Sequence, residues 1–332
     1  MKREIPGRVV HGGTILSHLR RYGRPILDFS ANLNPFPPEI PWDPDPSSLA
    51  SYPDDRYETL REVIGRTFHR PPEEIAVGNG SMEIIRIFCQ AALCDGDSFH
   101  VEHPTFGEYE LSARLAGASP VEEPARARVR FICNPNNPTG TLRSGDELRS
   151  ILRHVASGSG ILFLDEAFIE LSDPRQSLVT GRDPALFILR SLTKAFAVPG
   201  LRFGYGFGDP SLIARMEVLR PPWSVNTFAE EFAILAFRNY HHLEESRRKI
   251  RVEHEWLEEK IRDLGLTALP SSANFLLVTL DEPASELAER LLVKGVLIRD
   301  CTSFGLPDSI RIAVRRREEN QQLTEALAAC LP

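Results

Sequence analysis

Between residues 98 and 207 the chain alternates short apolar runs with longer amphipathic stretches, and this alternation limits the possible folds more than any other feature. The runs Ser98 to Val101, Val129 to Cys133, Ile161 to Leu164, Leu186 to Leu189 and Phe203 to Phe207 read as strands. Phe106 to Ala116 and Ser144 to Ala156 carry helical spacing between them. Strands that take turns with helices predict an α/β fold whose sheet is covered on both faces.

The flanks differ. Residues 1 to 50 are rich in Pro, Gly and Asn, as in Asn32-Leu33-Asn34-Pro35-Phe36-Pro37-Pro38, which predicts an extended or turning arm with no helix. The arm is too apolar for a plain disordered tail, so it is expected to lie over a folded body. Helices are predicted over Tyr57 to Phe68, Ser81 to Leu93, Asn226 to Asn239 and Leu243 to Leu264. The last of these is heavily charged and reads as a surface helix linking two domains. A smaller set of strands and helices closes the chain: Asn274 to Thr279, Ala284 to Lys294, Val296 to Arg299, Ile310 to Val314, and a helix from Glu318.

With 332 residues, 42% hydrophobic and 26% charged, the chain has the composition of a globular protein with room for a large domain and a smaller one. A net charge of -7 argues against nucleic acid, and Arg315, Arg316 and Arg317 read as a solvated helix start. No apolar run approaches the roughly 20 residues of a membrane span, and the first residues lack the apolar core of a signal peptide, so a cytoplasmic protein is expected. Cys89, Cys94, Cys133, Cys301 and Cys330 are odd in number and show no CxxC, which fits free thiols in a reducing compartment. No metal site is expected, since nothing around His100 and His103 completes a ligand set.

Only five of the 39 basic residues are lysines, and four of them lie at the N-terminus or in charged segments. Lys194 stands instead in Ser191-Leu192-Thr193-Lys194-Ala195-Phe196-Ala197-Val198-Pro199-Gly200-Leu201-Arg202, where no acid follows to pair with it. Burial there lowers an ammonium's pKa and leaves a nucleophilic amine, the kind that forms Schiff bases with pyridoxal 5'-phosphate. An arbitrary lysine more often keeps its head in water, but Ser191, Thr193 and Arg202 supply hydroxyls and a fork suited to a phosphate.

In open α/β sheets ligands bind at the carboxyl ends of the strands. After the run ending at Leu164 comes Asp165, placed to pair with a protonated ring nitrogen; the chain has no GxxxxGK[ST] that would make it a P-loop ATPase acid. After Cys133 comes Asn134-Pro135-Asn136-Asn137-Pro138-Thr139-Gly140, a rigid turn in which Asn137 is a candidate donor to a phenolate oxygen. Gly78-Asn79-Gly80-Ser81 opens a helix and offers free N–H groups to an anion. Phe106 is a candidate to stack on a planar ring or to fill the core. Gly204-Tyr205-Gly206-Phe207-Gly208 lacks the spacing of a dinucleotide site.

In this order the motifs resemble the fold-type I PLP-dependent enzymes, the aspartate aminotransferase superfamily, over nearly the whole chain. Within it the sequence is similar to histidinol-phosphate aminotransferases and, more closely, to L-threonine-O-3-phosphate decarboxylases of cobalamin biosynthesis. The features favouring the latter are His11-Gly12-Gly13, Asp28-Phe29-Ser30-Ala31-Asn32-Leu33-Asn34-Pro35, and Asp165-Glu166-Ala167-Phe168. Histidinol-phosphate aminotransferases usually carry tyrosine where Phe168 stands.

The resemblance implies a large PLP-binding α/β/α domain with a mixed, mostly parallel sheet over residues 46–250. It also implies a smaller α+β domain made by the arm, residues 1–45, and residues 251–332. It assigns the cofactor Schiff base and later proton movement to Lys194, the pyridine nitrogen to Asp165 and ring stacking to Phe106. The cofactor phosphate falls to Gly80, Ser81, Ser191, Thr193, Arg202 and Tyr52, the last reaching in from a second subunit, which implies a homodimer. Arg311 would clamp the substrate carboxylate with Asn32 and Asn137 nearby, Arg299 would hold a substrate phosphate, and His11 and Gly12 would close over the substrate. The implied partner is a small phosphorylated amino acid.

Overall fold

A computed structural model describes residues 6–13, 23 and 25–331; the readings made of residues 1–5 lie outside them. The strands in chain order are β1 (Leu27–Asp28), β2 (Ile75–Gly78), β3 (Ser98–Val101), β4 (Ser119–Pro120), β5 (Val129–Cys133), β6 (Ile161–Asp165), β7 (Leu186–Arg190), β8 (Gly204–Phe207), β9 (Thr267–Ala268), β10 (Phe275–Thr279), β11 (Val296–Leu297), β12 (Arg299–Asp300) and β13 (Ser309–Ala313). The helices are α1 (Glu58–Phe68), α2 (Ser81–Ala92), α3 (Glu108–Ala116), α4 (Gly145–Ser157), α5 (Leu192–Ala195), α6 (Pro210–Leu219), α7 (Thr227–Arg238), α8 (Leu243–Asp263), α9 (Ala284–Val293) and α10 (Arg317–Ala328).

The large sheet runs β2-β8-β7-β6-β5-β3-β4. Only β8 is antiparallel to its neighbours, β2 and β7; the other pairs are parallel. Its strands obey the period-2 rule. Phe131, Phe163 and Phe187 face one core with Ile84, Phe88 and Tyr109 of α2 and α3, while Ile132, Leu164 and Ile188 face the other with Leu60, Leu148 and Phe232 of α1, α4 and α7. Phe88, Phe163 and Phe187 are fully buried, each contributing on the order of 2 kcal/mol by removal from water.

The smaller α+β domain has a four-stranded antiparallel sheet, β12-β13-β10-β9. The arm completes it. β1 pairs in parallel with β11, Ala313 N–H donates to Phe29 O at 2.9 Å, and Phe29 is fully buried among Leu276, Ile298 and Ile312. Helix α8 buries Leu243, Ile250, Leu257 and Ile261 at helical spacing. Leu243 belongs to a core of the large sheet and Leu257 and Ile261 to that of the small one, so this charged helix spans both.

Several expectations need correction. Val296 to Arg299 is not one strand: the chain pairs with β1 up to Leu297 and with β13 from Arg299, because it changes sheets at Ile298. Pro46–Ala50 form a 3-10 turn within the arm, capped by the Asp45 carboxylate, which accepts from Ser47 N–H. Tyr57 sits ahead of α1 in a left-handed conformation, and α3 begins at Glu108, two residues after Phe106. The arginines near 316 are not simply solvated, for Arg315 pairs with Glu319 at 2.6 Å and Arg317 with Glu253 at 2.9 Å. Among the described residues no helix is long and apolar enough to cross a membrane.

Candidate active site

Register places Cys133, Asp165 and Leu189 in one row across β5, β6 and β7, so the loops after these strands open on a common edge. Asp165 shares the parity of Phe163 and thus faces α3. There Tyr109 donates its O–H to Asp165 Oδ2 at 2.6 Å, and Ala167 N–H donates to Oδ1 at 2.8 Å. Burial pushes the carboxyl up to about 6, while the Tyr109 and Ala167 hydrogen bonds and the Lys194 ammonium hold it down. Glu166 and Arg190 have the opposite parity and meet on the other face at 2.8 Å, with Glu170 3.0 Å from the same guanidinium. This paired cluster anchors the end of β6 from behind.

Lys194 lies in α5, a single turn after β7. Burial first, then the guanidinium charges of Arg311 and Arg202, pull its ammonium down to about 8, against the attraction of Asp165. A neutral amine is therefore accessible close to neutral pH. Its Nζ lies 5.9 Å from the centre of the Phe168 ring.

Of the proposed phosphate-binding residues, Gly80, Ser81 and Arg202 meet at the start of α2. Gly80, at φ +79, opens the helix, and a Cβ there would fall 2.5 Å from Arg202 Nη2. A Cβ on Gly204 would fall 2.4 Å from the Ser81 N atom. The two glycines thus keep a cradle at a helix N-terminus into which an arginine fork reaches. Ser191 and Thr193 share a hydrogen bond of 2.7 Å between their hydroxyls and are buried. The donor set of amine, buried carboxylate, Phe106 and anion cradle fits PLP.

The residues expected to meet a substrate come mainly from the arm and the small sheet. Arg299 and Arg311 are directly opposed in the β12–β13 register. Arg311 donates to Asn137 Oδ1 and to Ser30 O, and its Nε has no partner. Arg299 donates to Val10 O at 2.8 Å and Ser303 Oγ at 2.6 Å. Asn32 is buried with both its amide oxygen and nitrogen unpartnered, a state that is costly unless a ligand satisfies them. Asn134 and Asn136 bond the surrounding turns, which leaves Asn137 as the amide of that loop joined to Arg311. His11 Nε2 is 2.9 Å from Glu108 Oε1, and its ring centre is 5.8 Å from that of Phe106. Gly12 packs against Ser30, whose O would be 2.7 Å from an added Cβ.

Tyr52 is the predicted residue that stands apart: it is 79% exposed and stacks on Trp223 at 4.5 Å. Sequence reading missed Tyr109 and Asn34. Tyr109 follows Phe106 by one helical turn, a spacing that could have flagged it.

The sequence profile described as "Aminotransferase class I and II" matches residues 43–327. The chain belongs to this family. Members of the class I and II aminotransferase family are PLP-dependent, and PLP is the cofactor of this chain. Among family relatives, a histidinol-phosphate aminotransferase of Symbiobacterium thermophilum is 35% identical over 88% of this chain and 89% of its own length. A protein of Caldanaerobacter subterraneus subsp. tengcongensis, provisionally named threonine-phosphate decarboxylase, is 36% identical over 96% of this chain and 92% of its own. The crystal structure of the histidinol-phosphate aminotransferase from Clostridium acetobutylicum superposes with a TM-score of 0.83 at 30% identity, covering 92% of this chain and 98% of that one.

Proposed function

We propose that this member of the class I and II aminotransferase family decarboxylates L-threonine O-3-phosphate to (R)-1-amino-2-propanol O-2-phosphate and carbon dioxide, as in cobalamin biosynthesis. The observation that carries the reading is the Arg299–Arg311 pair. Both guanidiniums are buried, they oppose each other across two strands, and their hydrogen bonds go to neutral acceptors. Two buried positive charges side by side call for a ligand with two anionic groups. Threonine phosphate has a carboxylate and a phosphate, whereas histidinol phosphate has no carboxylate.

PLP, when bound, supplies the electron sink that lets a bond at the substrate's alpha carbon break. Asp165 keeps a negative charge beneath the site with Oδ1 and Oδ2 fixed by Ala167 and Tyr109. Lys194 Nζ, with its pKa near 8, gives up and recovers a proton near neutral pH. Arg311 and Arg299 orient the substrate, and Asn32 supplies the unspent amide. Phe168 offers no hydroxyl where the histidinol-phosphate aminotransferases usually carry tyrosine, which supports decarboxylation over transamination. The arm segment at His11 and Gly12 shields the cleft from water.

The second reading is transamination of histidinol phosphate or a related amine, supported by the relatives of that name and by the fit of a dicarboxylate such as 2-oxoglutarate to the same two arginines. The test is incubation of the holoenzyme with O-phospho-L-threonine without any 2-oxo acid. Carbon dioxide release is expected; amino transfer from histidinol phosphate to 2-oxoglutarate, with no carbon dioxide, would replace this reading by the second.

A homodimer is part of the proposal. Tyr52 and Trp223 are exposed and stacked on each other, an apolar pair suited to burial against a second copy. Sedimentation equilibrium should give twice the chain mass.

A further inference from the structure

The turn that carries Lys194 is too short to hold itself. Helix α5 has four residues, and an isolated turn of that length leaves its last carbonyls without partners. The carbonyls of Ser191, Leu192 and Thr193 are taken by Lys194, Phe196 and Val198 N–H groups. Those of Lys194 and Ala195 are taken from outside the turn, both by Asn34. Its backbone N–H donates to Lys194 O at 3.0 Å, and its side-chain Nδ2 donates to Ala195 O at 2.7 Å. Its Oδ1 accepts from Phe36 N–H at 2.9 Å, and the residue is 2% exposed. Pro35 restricts Asn34 to extended backbone, which favours this presentation.

The same segment touches the substrate side. Ser30 O accepts from Arg311, and Asn32 holds the unpartnered buried amide. Five residues of the arm therefore join the carboxylate clamp to the backbone of the cofactor lysine.

We infer that Asn34 is a positioning residue for Lys194: by capping the Lys194 and Ala195 carbonyls it fixes where Nζ stands relative to Asp165, Arg311 and Arg202, and it ties that position to the arm. The inference rests on the assignment of Lys194 and PLP, and not on the choice between decarboxylation and transamination. Displacing the backbone of Lys194 changes its distance from the three charges that set its protonation. A residue that merely stabilised the arm would leave those distances alone.

The test uses the PLP-loaded protein without substrate and follows its visible absorption against pH. Asn34→Asp keeps the acceptor for Phe36 N–H but sets a carboxylate oxygen against Ala195 O. Asn34→Ser keeps an acceptor and loses the amide donor, and it decides the matter if Asn34→Asp does not fold. The control is Ser246→Ala, which removes the 2.6 Å bond from Ser246 Oγ to Phe36 O on the same segment without touching the lysine turn. The expected result is a midpoint moved by about half a pH unit or more in the Asn34 variants, with kcat down by about tenfold and KM little changed, as for a misplaced reactive group. Ser246→Ala should lower the melting temperature and leave the midpoint in place. An unchanged midpoint in the folded Asn34 variants, or an equal shift in Ser246→Ala, overturns the inference. Failure of the substrate proposal would leave this spectroscopic result untouched.

Discussion

Tyr109 donates its phenolic O–H to Asp165 Oδ2 at 2.6 Å in a fully buried contact between α3 and the end of β6. Burial raises this carboxyl to about 6 even with that hydrogen bond holding it down. Tyr109→Phe retains the ring, which stacks on Phe131 at 5.6 Å, and deletes only the donor. Asp165 then titrates higher, so the acid limb of the pH–rate profile moves to higher pH. The unfolding free energy should fall by about 1–3 kcal/mol for a buried acceptor left short of a partner. Denaturant titration and a pH profile read the two effects separately.

Cofactor uptake should follow the charge of Lys194. Only the neutral amine attacks an aldehyde, and its folded pKa is lowered to about 8. The rate of PLP binding to the apoprotein therefore rises as pH increases through about 8. Stopped-flow absorbance over pH 6.5 to 9.5, a window chosen to bracket that value, checks the midpoint.

The same shift carries a stability consequence. A lysine whose folded pKa lies below its unfolded value of 10.5 favours the fold above the unfolded pKa and loses that contribution as pH falls through about 8. Asp165, with its folded pKa raised from 3.8 to about 6, contributes below the unfolded value and loses it as pH rises through the folded one. At pH 7 the apoprotein therefore carries two buried charges at a cost. Apo Lys194→Met should melt higher than apo wild type at pH 7, by roughly 2–4 °C. Adding PLP should reverse the order, because only the wild type can also bond it covalently and so gains more from binding. Differential scanning calorimetry of the four samples decides it.

The paired arginines should be separable by ligand. Arg299→Ala removes charge-assisted bonds worth about 1.5–3 kcal/mol, raising KM for O-phospho-L-threonine by roughly ten- to a hundredfold while PLP absorption stays normal. Arg311→Ala should weaken binding of simple carboxylates such as maleate as well, whereas Arg299→Ala should chiefly affect phosphorylated ligands. Steady-state kinetics and spectral titrations with both ligand types test this.

Gly204→Ala should damage the anion cradle with the core intact. The new methyl would lie 2.4 Å from Ser81 N, so the start of α2 must shift. Affinity for PLP is expected to drop by about tenfold or more, on the scale of a displaced set of phosphate donors. Equilibrium dialysis measures it.

What the sequence disclosed depended on how local the cause was. Asp165 could be found because it follows an apolar run that ends at the ligand edge of the sheet, and Lys194 because it is the one lysine outside the N-terminus and the charged segments. Strand β2 went unread, since Ile-Ala-Val-Gly is short, buried on both faces and runs into Gly78-Asn79-Gly80, which looks like a loop. Helix α6 also went unread, although Asp209 and Pro210 form a legible start, with the Asp209 carboxylate accepting from Ser211 N–H. Tyr109 and Asn34 act through partners 56 and 161 positions away, and no local pattern encodes such contacts. The break at Ile298 was hidden for the same reason: an unbroken β-rich string does not reveal that it serves two different sheets.

The parallel pairing of Leu27–Asp28 with Val296–Leu297, and the bond from Ala313 to Phe29, bring together parts of the chain that leave the ribosome far apart in time. The central sheet has all its strands once residue 207 has emerged, and Asn34 can then reach the Lys194 turn, yet Leu27 to Phe29 have no strand to pair with until residues 296 to 313 follow. A nascent polypeptide can thus own both Lys194 and Asp165 and still lack Arg299 and Arg311. Translation order alone delays a competent cleft until Arg299 and Arg311 have been made.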